Sequence, residues 1–134
     1  MTKRIVKSPK LLFVGTGLLC YLLRIENAEQ LIHSPFSEHI FENMVIMEVV
    51  KRFAEKGERA PCYFYRTYSG VEIDLLVDFG SYQKAYEIKF SSTPTLPMTK
   101  PLAQSDFSNP TLLTMYSKRL PFPNGVIGEH WSTI

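Results

Sequence analysis

Three residues in the middle of the chain have types and a spacing suited to metal-dependent phosphodiester chemistry. Asp74 lies in the strand-like run EIDLLVDF, and Glu87 and Lys89 make a Glu-x-Lys step in a second run, AYEIKFS. Such chemistry needs two or more hard oxygen ligands to hold Mg²⁺ or Mn²⁺ beside the scissile phosphate. A cation near the attacking water or the developing charge assists it. Asp74 and Glu87 supply the oxygens in this reading, Ile88 can add its backbone carbonyl, and Lys89 supplies the cation. The pattern itself is short. Asp, a gap free over about 20 positions and [DE]-x-K arise on the order of once by chance in a chain this long. Exposed strand faces also alternate Glu and Lys for solubility. The elements that carry the three residues therefore decide.

From Pro61 to Pro94 the sequence alternates between aromatic or β-branched runs and turn residues, the signature of a meander. Strands are expected over Cys62–Thr67, Val71–Phe79 and Lys84–Phe90, with turns at Tyr68-Ser69-Gly70 and Gly80 to Gln83. A side-chain period of two places Ile73, Leu75, Val77 and Phe79 on one face of the second strand, and Glu72, Asp74, Leu76 and Asp78 on the other. In the third strand Tyr86, Ile88 and Phe90 share a face, opposite Ala85, Glu87 and Lys89. Glu87 and Lys89 thus point the same way.

SPFSEHIFENMVIMEVVKRFAEK, residues 34–56, is the clearest helix, with Ser37 as a candidate cap and Gly57 beyond its end. At 100° per residue Phe41, Met44, Val45, Glu48 and Val49 share a face. A carboxylate inside an apolar stripe requires a partner, a wet pocket or a metal, because burying it unpaired costs several kcal/mol. Glu48 is accordingly a candidate third acid. A bridge to Lys51 or Arg52, or a position at the rim, explains it equally well.

Ahead of this helix, LLFVGTGLLCYLL reads as a short strand or turn at Leu11–Val14, a Gly-Thr-Gly break and a helix from Leu18 to Leu23, with Thr16 as its cap. Lys3, Arg4, Lys7 and Lys10 before it imitate a secretory signal, but no small-x-small cleavage site follows and Arg24 and Glu26 close the run. The run also falls short of the roughly 20 apolar residues that span a bilayer. Gly15-x-Gly17-x-x-Cys20 lacks the third small residue of a dinucleotide loop, and GxxxxGK[ST] is absent, so no nucleotide is expected. Cys20 and Cys62 sit in apolar or aromatic runs and read as reduced, buried thiols. His33, His39 and His130 are scattered. After Ser92 come a Pro-rich connection, a strand near Thr111–Ser117, and a turn and last short strand in PFPNGVIGEHW.

With 134 residues, 45% hydrophobic and 21% charged, the chain is expected to form one domain, residues 1–134, around one core. Its net charge of +2 carries no broad nucleic-acid footprint. Any DNA contact must come from a local patch.

The order KSPKLLFVGTGLLCYLL, FENMVIMEVVKR, YFYRTYSGVEIDLLVDF and AYEIKFSS resembles the C-terminal domain of unknown function that follows the ATPase core in many prokaryotic AAA-type ATPases. That domain is similar to the PD-(D/E)XK, restriction-endonuclease-like superfamily. The resemblance implies that Asp74 and Glu87 are metal-binding acids and Lys89 the catalytic lysine. Glu48 or Glu42 would be the acid of the first helix, Glu48 being favoured by its place in the stripe. Arg66, in YFYRTYSG, matches the family's strand arginine, which contacts phosphate or pairs with an acid. An ion pair to Glu72 or Asp74 across the hairpin is its structural alternative. Gly15 stands where the family usually has an aspartate.

The expected fold is α/β, a small mixed sheet of four or five strands flanked by helices, restriction-endonuclease-like in topology. The expected function is that of a metal-dependent nuclease-like domain acting on DNA, with Mg²⁺ or Mn²⁺ as cofactor. The alternative is a non-catalytic regulatory or interaction domain of an ATPase, since such folds also serve as binding modules. The expected partners are DNA, an ATPase core or another protein, with self-association through the N-terminal apolar segment. No membrane partner is expected, and the expected location is cytoplasmic. Open carboxylates at Asp74 and Glu87 would favour the enzyme. An Arg66 or Lys89 bridge filling that space, or the lack of a basic rim, would favour the binding module.

Overall fold

A computed structural model describes residues 10–134, so that Lys3, Arg4 and Lys7 lie outside the described part. The helices are α1 (Thr16–Leu22), α2 (Ala28–His33), α3 (Ser37–Glu55) and the short α4 (Lys100–Ala103). The strands are β1 (Cys62–Arg66), β2 (Glu72–Asp78), β3 (Gln83–Ile88), β4 (Thr111–Thr114), β5 (Leu120–Pro121) and β6 (Ile127–His130). They form one mixed sheet in the order β1-β2-β3-β4-β6-β5. The meander β1-β2-β3 is antiparallel, β3-β4 and β4-β6 are parallel, and β5 pairs antiparallel with β6. The sheet has six strands, against an expected four or five. The extra strand is β5, two residues long and ending in a proline, which has no ladder N–H and is tolerated at a sheet edge.

Both hairpin turns fall where the glycines require them. Gly70 and Gly80 have φ of 86° and 83°, values that glycine adopts without a Cβ clash. Thr67 closes the first turn by donating its N–H to the Val71 carbonyl at 2.8 Å and accepting the Gly70 N–H at 3.1 Å.

Helix α3 covers one face of the sheet. Its Phe41, Val45, Ile46 and Val49 pack with Leu75, Val77, Tyr86, Ile88 and Leu113. On the other face Leu102 of α4 packs with Ile73, Leu76, Ala85, Leu112 and Val126. Each large side chain fully buried in these layers contributes roughly 1.5–3 kcal/mol. The expected face assignment of β2 fails at Ile73, which lies with Leu76 and not with Leu75 and Val77. Between Tyr63↔Leu76 and Tyr65↔Ile73, β1 advances two residues while β2 advances three. The extra residue in β2 is a bulge, which reverses the face of everything on one side of it.

The N-terminal segment is held chiefly by one buried side chain. Asn43 of α3, 5% exposed, accepts the Phe13 N–H at 2.7 Å and donates to the Phe13 carbonyl at 2.9 Å, as a neighbouring strand would. Leu11–Val14 therefore lies extended against α3 without joining the sheet. Thr16 is the first residue of α1 and Gly15 its cap, with no side-chain cap bond. Ser37 likewise opens α3, and Phe36 precedes it as an uncapped N-cap. In α2, which the sequence analysis did not anticipate, Asn27 accepts the Gln30 N–H at 2.9 Å. No helix among the described residues is long and apolar enough to cross a membrane.

Candidate functional site

The meander brings Asp74, Glu87 and Lys89 to one place. The β2–β3 register runs from Asp78↔Gln83 to Leu75↔Tyr86, and one further step sets Asp74 opposite Glu87. Here the ladder gives way to a side chain: Asp74 Oδ2 accepts the Ile88 N–H at 2.8 Å. The bulge lies beside Asp74. Such irregularities re-aim side chains at the edges of sites. Past the end of β3, the Lys89 N–H still bonds to the Leu113 carbonyl of β4 at 2.9 Å. Glu87 thus sits within β3, between β2 and β4, and Lys89 stays tied to β4.

These residues border a cavity of about 520 Å³ that also includes Glu72 and, from the α4 side, Lys100, Pro101 and Gln104. Among the described residues its charged lining is three carboxylates and two lysines, so that part of the rim is not basic. Asp74 also borders a second cavity of about 320 Å³ on the α3 side, with Lys10, Cys62 and Phe64.

Glu87 is 4% exposed. Its Oε1 accepts from Lys89 Nζ at 2.9 Å, and its Oε2 is buried without a hydrogen-bond partner. Burial, and then the Asp74 charge, push its carboxyl up to about 7, outweighing the Lys89 bond that favours ionisation. Burial likewise raises Asp74, opposed by the Ile88 N–H and by Lys89 and Lys10. For Lys89, burial acts downward, but the Glu87 bond and the charges of Glu87, Asp74 and Glu38 outweigh it and raise the group. Two buried acids pushed upward beside a firmly protonated lysine form an electrostatically tense cluster, the kind that concentrates at functional sites.

The other sequence candidates lie elsewhere. Glu48 is held by Lys51 at 3.1 Å, one helical turn away, and borders neither cavity. Glu48 lies at the edge of the apolar stripe, partly exposed, and the pairing with Lys51 accounts for it. Glu42, 8% exposed, is bonded to Lys10. Arg66 pairs with Glu72 at 2.9 Å, directly across the β1–β2 register, with both side chains about half exposed.

Two residues went unrecognised in the sequence. Lys10 reaches Glu42 with its Nζ 4.8 Å from the Phe64 ring centroid. Burial lowers its pKa, while Asp74, Glu72 and Glu87 act to raise it. Glu38, in the first turn of α3, accepts the Phe90 N–H at 3.1 Å through Oε2, while its Oε1 is buried and unbonded. Helical arithmetic could have found it, since Glu38 lies within about 20° of Val45 and Val49, nearer the centre of the buried stripe than Glu48.

Hard oxygens beside a buried, unsatisfied carboxylate suit a divalent cation, which can take two protein carboxylates and complete its shell with carbonyls and waters. Asp74 and Glu87 are the carboxylates that border the cavity beside that oxygen. Among the described residues no three His, Cys, Asp or Glu side chains converge on a single point as a ready metal cluster.

Two mycobacterial proteins are similar to the chain: uncharacterized protein Mb2031c of Mycobacterium bovis and uncharacterized protein Rv2008c of Mycobacterium tuberculosis. Each is 31% identical over 121 residues, which cover 90% of this chain and 26% of the relative. The chain thus spans about a quarter of the length of these curated relatives. No solved structure matches it significantly. A family model matches residues 37–128, a stretch that runs from the start of α3 into β6 and includes Asp74, Glu87 and Lys89, and by that match the chain belongs to the family described as Domain of unknown function (DUF4143).

Proposed function

We propose that this chain is a restriction-endonuclease-like, PD-(D/E)XK-type domain in which Asp74, Glu87 and Lys89 form a cation-dependent phosphodiesterase centre acting on DNA. The observation that supports it is Glu87 Oε2, a carboxylate oxygen buried without a partner beside a second buried acid. Asp74, Glu87 and the Ile88 carbonyl would hold Mg²⁺ or Mn²⁺. When bound, the cation would polarise the phosphate and stabilise charge on its oxygens. Lys89, charged and fixed by Glu87, orients water or offsets charge at the phosphate. The Ile88 N–H holds the Asp74 carboxylate in place, so that its second oxygen stays directed by the backbone and not by solvent.

A second reading is a non-catalytic interaction domain of an AAA-type ATPase, binding protein or nucleic acid without cutting. Two observations favour it: Lys89 already occupies one oxygen of Glu87, and among the described residues the cavity has no basic rim. Leu11, Val14, Leu18, Tyr21 and Leu22 are each more than half exposed, an apolar surface for an ATPase core, another protein or a second copy.

Incubation of plasmid and single-stranded DNA with the purified chain and Mn²⁺ or Mg²⁺, beside folded Asp74→Ala and Lys89→Ala variants, separates the readings. Cutting by the wild type that both variants lose supports the first. Folded wild type that binds DNA or protein without cutting supports the second.

A further inference from the structure

The β2–β3 hairpin ends in two exposed aromatic rings. Phe79 and Tyr82 are 43% and 48% exposed, yet their rings are stacked, with centroids 4.9 Å apart and planes 21° from parallel. The turn holds them so: the Phe79 N–H donates to the Tyr82 carbonyl at 2.9 Å across Gly80 and Ser81, and Asp78 Oδ1 accepts the Gly80 N–H at 2.8 Å. Phe53 of α3, packed against the core, approaches Phe79 with ring centroids 6.3 Å apart. Aromatic surface that is exposed and already ordered is suited to stacking with a planar group.

Cations flank this pair. Tyr82 borders a cavity of about 370 Å³ with Lys84, Arg119 and Glu129, and Phe79 borders one of about 200 Å³ with Arg52 and Lys56. Lys84 Nζ stands 5.1 Å from the centroid of the Tyr86 ring, and Tyr86 borders the second cavity, so the two form one surface. Among the described residues its charged lining is four cations and one carboxylate, Glu129, the opposite balance from the cavity of Asp74 and Glu87. Glu129 is engaged by Arg119 at 3.8 Å and by the Thr133 hydroxyl at 3.2 Å. Asp78, next to Phe79, offsets part of the excess while it fixes the turn. The surface lies on the α3 face of the sheet, where Tyr86 packs, whereas Ala85 packs on the other face and Glu87 borders the acid cavity there. From Lys84 to Lys89 the strand and its extension span about 16 Å. The two sites are separate.

We propose that this surface binds a single strand of nucleic acid, one base stacking on the Phe79–Tyr82 pair while Lys84, Arg119 and Lys56 meet the flanking phosphates. Base faces are open in a single strand and hidden in a duplex, and every base has one, so the fit is to the strand and not to its sequence. An acidic peptide would satisfy the cations and leave the stacked rings without a planar partner. The site needs neither the cation nor the cleavage proposed for Asp74 and Glu87. It supplies the local basic patch that a net charge of only +2 requires of any nucleic-acid contact.

Fluorescence anisotropy of the full chain with labelled oligothymidylate and oligouridylate of about 12 nucleotides, in EDTA so that no metal takes part, tests it, and the tighter probe tells DNA from RNA. The expected result is binding that Tyr82→Ala weakens at least about fivefold. Tyr68→Ala, at the exposed turn of the other hairpin, should bind as the wild type does. Lys84→Gln and Arg119→Gln should each lower the slope of log affinity against log salt by about 0.7. No binding by the folded wild type, wild-type affinity in Tyr82→Ala, or a loss in Tyr68→Ala instead overturns the proposal. So does displacement of the strand by polyglutamate with no effect of Tyr82→Ala, which would identify an acidic protein partner. Should Tyr82→Ala fail to fold, Tyr82→Leu, which keeps apolar bulk and removes the ring, is expected to bind as weakly, and wild-type affinity in it would overturn the stacking.

Discussion

Asp74 Oδ2 accepts the backbone N–H of Ile88 at 2.8 Å, so the first acid of the cluster is bonded to the residue that separates the other two members, Glu87 and Lys89. A carboxylate takes the place of a backbone carbonyl where the β2–β3 ladder stops. That substitution costs solvation of the carboxylate, visible in the upward push of burial on Asp74. It fixes the geometry of two strands around one cavity. Asp74→Ala would leave the Ile88 N–H without its acceptor, while Asp74→Asn retains an acceptor and removes the charge. Asp74→Asn is therefore expected to cost less stability than Asp74→Ala, by about 1–2 kcal/mol in urea unfolding, although both remove the acid.

Glu87 gives the fold a pH dependence. Its carboxyl lies at about 7 in the folded chain against an ordinary value of 4.5. Between those values the folded chain holds a proton that the unfolded chain has released. The stability governed by this group therefore falls as pH rises from 4.5 to 7 and stays low above 7. The full span is about 3 kcal/mol. Urea unfolding at pH 5 and pH 8 should show a larger fall in the wild type than in Glu87→Gln, and an equal fall in both would contradict this origin.

Asn43 governs the N-terminal segment. Its amide satisfies both the N–H and the carbonyl of Phe13 from a nearly solvent-free position. Asn43→Ala is expected to cost about 1–3 kcal/mol. It should also raise amide exchange across residues 10–14 far more than in β3 and β4. Uniform exchange in the variant would show that the segment is held by other contacts.

In the core, Leu113 is fully buried on central strand β4 beneath α3. Leu113→Ala should cost about 2–5 kcal/mol. By contrast, Glu48→Ala should cost less than about 0.5 kcal/mol, since it removes only a partly exposed helical pair with Lys51. Denaturant midpoints for the two variants check both figures, and a large loss in Glu48→Ala would return that residue to the interior.

The parts of the site that lie within one meander were legible in the sequence, because alternation and turn glycines are local. Cys62–Arg66, Glu72–Asp78 and Gln83–Ile88 follow the expected strands closely. The bulge was not legible, since a strict period of two has no place for an extra residue, and Ile73 was assigned to the wrong face for that reason. Glu38 was present in the helical pattern but was passed over in favour of Glu48, which lies at the stripe's edge. Helix α2 also had a local signal in Asn27 and Gln30. The Lys10–Glu42 bond joins residues 32 apart in sequence, a tertiary contact that no local period encodes. The two-residue β5 is likewise fixed by its neighbour β6, where Leu120 lies opposite Gly128.

The central claim is that the buried acids at the end of the meander hold a divalent cation. Anomalous diffraction from crystals of the chain soaked in Mn²⁺ tests it most directly. One strong peak is expected in the cavity bordered by Asp74, Glu87 and Lys89, with Glu87 Oε2 turned toward it. Folded, well-diffracting crystals with no peak there, and with Lys89 still closed on Glu87, would contradict it.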